Sequence, residues 1–174
     1  MALGKDLGLD NFMAIPKLKK VSINVGISRS ASSPDFTGQV MADLKMISGQ
    51  QPIITKAKKA ISGFKIRQGQ EVGVAVTLRG KRMWDFVEKF VHSSIPRIRD
   101  FRGIEERNFD NQGNFNYAIK EQVIFPEILH DNVQAVFGLQ VNINTSAKDK
   151  ISGIKLLRAL GFPIKKEEVS PDKK

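Results

Sequence analysis

GQQPIITKAKKAISGFKIRQGQEVGVAVTLRGKR, residues 49–82, is the stretch on which the rest of the chain is organised. It reads as a short strand from Pro52 to Thr55, a basic loop from Lys56 to Gln70, and a long strand from Glu71 to Arg79. In the long strand Val72, Val74, Val76 and Leu78 alternate with Gly73, Ala75, Thr77 and Arg79, the period of a strand with one buried face. The outward set is low and almost uncharged. Such a face lets a flat partner approach the backbone, or it suits a crowded neighbouring strand; the strand alone leaves both readings open. The stretch also holds eight lysines and arginines (Lys56, Lys58, Lys59, Lys65, Arg67, Arg79, Lys81, Arg82) against one acid, Glu71. Its net formal charge is therefore +7, against +10 for the whole chain. A cluster this dense calls for a polyanion, with nucleic acid the commonest; the plainer reading is a solvated, solubilising surface.

Upstream, KKVSINVG (residues 19–26) alternates Val21, Ile23 and Val25 against Lys20, Ser22, Asn24 and Gly26, a second half-buried strand. Ser33-Pro34-Asp35 has the cap, first-turn proline and first-turn acid of a helix start. Phe36, Val40, Leu44 and Ile47 continue it at helical spacing until Gly49 ends the run. Residues 1–17, with Gly4, Gly8 and Pro16, read as a loose arm. Downstream, Lys81 to Val91 reads as a helix whose apolar face is Met83, Trp84, Val87, Phe90 and Val91, with Trp84 in the core rather than stacked on a base. Residues 96–103, PRIRDFRG, form a second basic patch diluted by its acid. The turn Asp110–Asn114 reads as a hairpin between two short strands, with Phe115 and Tyr117 on one face of the second. Leu139, Val141 and Ile143 alternate with Gln140, Asn142 and Asn144. Ser146 then reads as a helix cap with Asp149 as the acidic half of a capping box, followed by an Ile151, Ile154, Leu157 stripe. The order is roughly β-α-β-β-α-β-β-β-α. Few long helices lie between strands, so the fold class is α+β, with helices on the apolar face of a sheet and the polar face left open.

Composition removes several function classes. The chain has no cysteine, which excludes disulfides and thiolate sites. Its two histidines, His92 and His130, have no partner at ligand spacing, so no metal or other cofactor is expected. No apolar run nears the ~20 residues of a membrane span, and the first residues lack a signal-peptide layout. No glycine-rich stretch has phosphate-loop spacing. The adjacent acids Glu105-Glu106 and Glu167-Glu168 read as surface pairs, so no enzyme is indicated. Charge is lopsided: residues 108–147 hold Asp110, Glu121, Glu127 and Asp131 against Lys120 alone.

The blocks ISGQQPIITKAKKAISGFKIRQGQ, VTLRGKRMWDF, IPRIRDFRG, FDNQGNF and EQVIFPEI resemble the signature blocks of the large-subunit ribosomal protein numbered five, the universal 5S rRNA-binding family. The resemblance runs from Pro16 to about Pro163. It departs from the family in a short, glycine-containing N-terminal arm in place of a longer helix, and in a tail that runs on. It implies an antiparallel sheet of about five strands backed by helices, and a ribosome-bound, cytoplasmic protein of the central protuberance. The implied partners are 5S rRNA, large-subunit rRNA, the P-site tRNA and a small-subunit head ribosomal protein across an intersubunit bridge. On this resemblance Asn24, Gln50, Thr55, Lys56, Lys59, Thr77 and Arg79 face 5S rRNA. Gly63, Phe64, Lys65, Arg67 and Gln68 form a loop that reaches the tRNA, with Phe64 and Ile66 turned inward as the competing reading. Glu127 and Asp131 face the small-subunit protein. The expected organisation is an arm at 1–17, a single RNA-binding domain at 18–163 and a polar tail at 164–174. The alternative function is a stand-alone RNA chaperone or regulator using the same sheet.

Overall fold

A computed structural model describes residues 4, 6–9, 11–27, 36–128 and 135–165. The expected helix start at Ser33–Asp35, Asp131 and the tail beyond Lys165 lie outside the described residues.

Five strands form one sheet: β1 (Leu18–Gly26), β2 (Ile53–Lys56), β3 (Glu71–Leu78), β4 (Phe115–Ile119) and β5 (Leu139–Thr145). Their order is β2-β3-β1-β5-β4, and every neighbouring pair is antiparallel. The first strand in sequence is thus the centre of the sheet. Among the described residues three helices, α1 (Phe36–Ser48), α2 (Gly80–Lys89) and α3 (Lys150–Ala159), supply the other layer. Val21, Ile23, Val25, Val74, Val76, Leu78, Val141 and Ile143 are all buried in one core with Val40, Leu44 and Ile47 of α1 and Leu157 of α3. Alternation along three adjacent strands therefore places one apolar face against the helices, as α+β packing requires.

Phe36, Val40, Leu44 and Ile47 form the buried stripe of α1, and Gly49 closes the helix with its N–H on the Lys45 carbonyl at 2.9 Å. The chain turns directly from β3 into α2 at Gly80, whose φ of 58° is costly for any residue with a Cβ. The stripe of α2 differs from the expected one. Met83, Phe86, Val87, Phe90 and Val91 are buried, whereas Trp84 is 45% exposed. Trp84 stands one position, about 100°, from Met83, while Phe86 and Val87 complete the i, i+3, i+4 spacing from Met83. The helix runs on into a π turn (Phe90–Ser94) that keeps Phe90 and Val91 inside. Phe90 lies 5.8 Å from Phe86, 6.3 Å from Phe125 and 6.5 Å from Tyr117, at the middle of an aromatic cluster beneath β4.

Two local expectations are corrected. The hairpin has only its second arm, β4, with Phe115 stacked on Tyr117 at 6.0 Å. Its first arm is a 3-10 turn (Glu106–Asn108) followed by an isolated bridge between Phe109 and Phe115. The Asp110 carboxylate accepts the backbone N–H groups of Gln112 and Asn114, at 2.9 and 2.7 Å, and the Asn114 amide at 2.8 Å. This side-chain turn competes with strand pairing. Burial disfavours the ionised Asp110, but those bonds outweigh it and hold its pKa below the ordinary aspartate value. The cap of α3 is Asp149, which accepts the Ser152 N–H at 3.2 Å, and not Ser146. Ser146 instead accepts the Lys17 N–H at 2.9 Å, tying the chain before β1 to the end of β5. With the helix starting later, Ile154, Leu156 and Leu157 are buried and Ile151 is 65% exposed.

Candidate nucleic-acid interface

The apolar face is covered by helices, and the opposite face carries the small and uncharged polar residues. Register sets them in rows across the sheet. One row runs Thr77, Ser22, Asn142, Asn116. The next runs Ile53, Ala75, Asn24, Gln140, Ala118 over all five strands. A third holds Thr55, Gly73 and Gly26 at one end. Not one of these residues is an acid. The face offers donors and acceptors at low height, the surface that an A-form minor groove with its 2′-hydroxyls can lie against.

Asn24 is exposed in the middle of this face, and Thr77 is half-buried opposite Ser22. Thr55 and Lys56 are exposed on the edge strand β2, and Lys59 is exposed in the loop beyond it. Gln50 sits at the other end of β3. Its Nε2 donates to the Thr77 carbonyl at 3.2 Å, and its Oε1 accepts from Arg82 Nη1 at 3.5 Å. Arg79 is exposed beside it. The structure thus brings Gln50, Thr77, Arg79 and Arg82 together at one end of β3, and Thr55 and Lys56 at the other. Gly73 decides between the two readings of the low face at its own position. A Cβ there would meet the Val25 carbonyl at 2.8 Å and Thr55 Oγ1 at 2.9 Å, so neighbouring strands require glycine. Ala75 and Thr77 remain accessible.

The basic loop is a clamped finger. At its base the Ala57 N–H donates to the Gln70 carbonyl at 2.8 Å and the Gly69 N–H to the Ala57 carbonyl at 2.9 Å. Further out, Ile61 and Ile66 exchange backbone bonds of 2.9 and 3.2 Å. Between them the tip turns through Ser62–Phe64 and a left-handed Lys65, φ 55°. Phe64 points out, 76% exposed, while Ile66 is half-buried, so of the two residues that the competing reading turns inward only Ile66 is partly buried. Gly63, Lys65, Arg67 and Gln68 are exposed. None of the eight cations of residues 49–82 has a carboxylate within 4 Å among the described residues, where the ion pairs are Lys89–Glu127 and Arg107–Glu105. Their charge is uncommitted.

Glu127 is placed differently from an exposed acid. It pairs with Lys89 at 2.6 Å, and the same Lys89 ammonium donates to the Ile47 carbonyl at the end of α1. Glu127 thus fastens the acidic connection between β4 and β5 to α1 and α2. Sequence reasoning did not single out Ser22, Asn116 or Asn142. Asn142 Oδ1 is buried without a hydrogen-bond partner on the polar face, an acceptor still to be satisfied. Their alternation was visible, but only strand order puts them in one row with Thr77.

An open, polar, antiparallel sheet bordered by unpaired lysines and arginines defines a nucleic-acid-binding protein of the α+β class. Comparison with known proteins makes this specific. The family model for ribosomal protein L5 matches residues 11–67, and the companion model for the C-terminus of that ribosomal family matches residues 71–164. The chain is 46% identical over 165 residues to the large ribosomal subunit protein uL5 of Colwellia psychrerythraea, covering 95% of this chain and 91% of that one. It is 48% identical over 163 residues to the uL5 protein of an Acidovorax species, covering 94% and 91%. The uL5 protein of Francisella tularensis subsp. novicida is 45% identical over 163 residues, covering 94% and 91%. The chain belongs to the ribosomal protein L5 family, and so is a structural, non-enzymatic protein of the large ribosomal subunit that works on cytoplasmic ribosomes. Both family models contribute to one sheet, because β2 and β1 of the first flank β3 of the second.

Proposed function

We propose that the polar sheet face and its bordering cations bind 5S rRNA and help to attach it in the central protuberance. The observation that carries this reading is the continuous row of uncharged side chains across all five strands, with unpaired cations at its end and no acid within it. Lys56, Lys59 and Arg79 supply salt-dependent phosphate contacts, and Asn24, Thr55 and Thr77 supply hydrogen bonds to sugars. Gln50 holds the end of β3 and presents Arg82. The finger at residues 57–70 reaches beyond the sheet to the P-site tRNA, with Lys65 and Arg67 on phosphates and Phe64 on a sugar or base. The acidic connection turns towards the basic small-subunit head protein. Exposed Glu121, with Asp131, serves that contact better than Glu127, whose carboxylate is held by Lys89.

A gel shift with purified 5S rRNA tests the central claim. Asn24→Ala and Thr77→Ala are each expected to weaken binding by ~1–2 kcal/mol, the loss of a hydrogen bond at a buried interface. Wild-type affinity in both folded variants removes this face from the site. Lys65→Ala with Arg67→Ala is expected to spare 5S binding and weaken tRNA contact in assembled ribosomes. Lost 5S binding in that variant moves the finger onto 5S rRNA.

A further inference from the structure

Between the free edge of β4 and the irregular chain 97–108 lies a cleft of about 990 Å3. Arg97, Arg99, Arg102, Arg107, Lys120 and Lys165 line it, six cations against the three carboxylates of Asp100, Glu105 and Glu121. Glu105 is taken up by Arg107 at 2.6 Å. Arg97, Arg99 and Arg102 are exposed and have no carboxylate within 4 Å among the described residues. A cleft with this imbalance draws an anion.

One wall of it is a short parallel ribbon. Ile104 bridges Ile164: its N–H donates to the Pro163 carbonyl, and its carbonyl accepts the Lys165 N–H, each at 2.9 Å. Ile104 is fully buried and Ile164 packs on the core, so alternation turns their neighbours the other way. Gly103, Glu105 and Lys165 accordingly line the cleft. The Lys165 side chain lies close over Gly103, where a Cβ would meet its Cγ at 2.8 Å.

Continued at a strand's period of two, position 167 falls on the cleft side with Lys165 and position 168 on the opposite side. In the parallel register set by Ile104 and Ile164, position 167 comes opposite Arg107, which also lines the cleft. Position 167 is a glutamate. The turn at Glu106–Asn108 ends regular pairing, so a contact there is between side chains rather than backbones. Two extended residues carry the chain about 7 Å past Lys165, into a cleft about 10 Å across if taken as a cube. The match to the ribosomal family ends at residue 164, so this acid lies beyond the sequence that the family model covers.

We propose that residues 166–168 fold back as a strap over this cleft while the protein is free, with Glu167 set among its arginines beside Arg107. The strap is an intramolecular stand-in for an anion, and it shields the cleft from adventitious polyanions. An exposed ion pair is weak and screened by salt, so a stronger polyanion displaces it readily. The inference does not depend on what the sheet face binds.

The two adjacent acids supply the control, because Glu167→Gln and Glu168→Gln remove the same charge one residue apart. Heparin serves as the polyanion probe on the full chain. Glu167→Gln is expected to bind heparin about two- to five-fold tighter than Glu168→Gln, the size of one exposed ion pair. With Arg99→Gln, Arg102→Gln and Arg107→Gln added to both, that difference should vanish. Because the chain has no cysteine, Val169→Cys accepts a single nitroxide label. The label should broaden the amide signals of residues 118–120, on the opposite wall, when Glu167 is present, and also with Glu168→Gln, but much less with Glu167→Gln. Equal heparin affinity of the two variants overturns the proposal and leaves the cleft open in the free protein. So does a difference that survives loss of the arginines, or broadening that is the same with and without Glu167. None of these readouts involves 5S rRNA, so a failure of the sheet-face reading leaves them unchanged.

Discussion

The two faces of the sheet are written by the same strands, one residue apart, and obey different rules. On the covered face Val21, Ile23, Leu78 and Ile143 are wholly buried, and each must fit its neighbours at close-packed density. On the open face Asn24, Asn116 and Gln140 are exposed and touch no core. The covered face answers to volume, so it should lose stability under substitution. The open face answers to what lies on it, so it should lose binding. The comparison fails at one place, Gly73, where the open face is as crowded as the core.

The largest effect should come from Phe90→Ala, which empties the middle of the aromatic cluster; ~3–5 kcal/mol of unfolding free energy is expected to be lost in denaturant titration. A loss below about 1 kcal/mol would mean that the cluster collapses around the gap. Gly73→Ala should come next. Thr55 can swing aside but the Val25 carbonyl cannot, and ~1–3 kcal/mol is the usual cost of such overpacking. A neutral result would return the whole open face to the tolerant class.

Reversing Glu127 to Lys sets two ammonium groups together where Lys89 now meets a carboxylate. Both side chains keep about a quarter of their surface exposed, at 23% and 29%, so solvent screening reduces the cost to about 1–2 kcal/mol. Thermal melts at low and high salt check it. A variant as stable as wild type would free Glu127 for the surface role expected from sequence.

Asp43 gives a pH test. It is buried on α1, its Oδ2 lacks a partner, and burial raises its pKa above the ordinary aspartate value, opposed by the Gln122 side chain. A raised folded-state pKa means that protonation favours the folded form. Stability tied to this group is therefore present at acid pH and lost as pH rises through the raised value. Asp43→Asn cannot ionise, so its melting temperature should gain on wild type as pH rises from about 4 to 7. A gap that shrinks over that range would contradict the burial argument. The smallest effect belongs to Asn142→Ala, which removes an acceptor without a partner; unfolding free energy should stay within about 0.5 kcal/mol of wild type. A larger loss would show that the polar row helps to hold the sheet.

Some of this was readable from residue order and some was not. The covered face of β1, β3 and β5 and the stripe of α1 follow from period alone, because a period of 2 or 3.6 with consistent apolar type admits one buried side. Trp84 misled because apolar type was counted without its angle on the helix, and Phe86 held the position instead. Ser146 misled because two cap residues lie three apart, and its hydroxyl is drawn off by the Lys17 N–H 129 positions away in sequence. The hairpin misled because the Asp110 turn takes up backbone groups that a first strand would have paired.

By itself the sequence determined the class: a basic α+β chain with alternating strands, a cation-rich segment at 49–82, and motif blocks specific enough to resemble one ribosomal family. Those properties are local or additive, carried by residue type, spacing and charge count. Only the tertiary structure decided that β1 lies at the centre, so that Thr77, Ser22, Asn142 and Asn116 from four separate strands form one row. It also decided that Phe64 points outward, that Glu127 is committed to Lys89, and that residues 97–108 form a cleft with the edge of β4. Each of these depends on pairing between residues far apart in the chain, where strand order and register, not propensity, set which side chains meet.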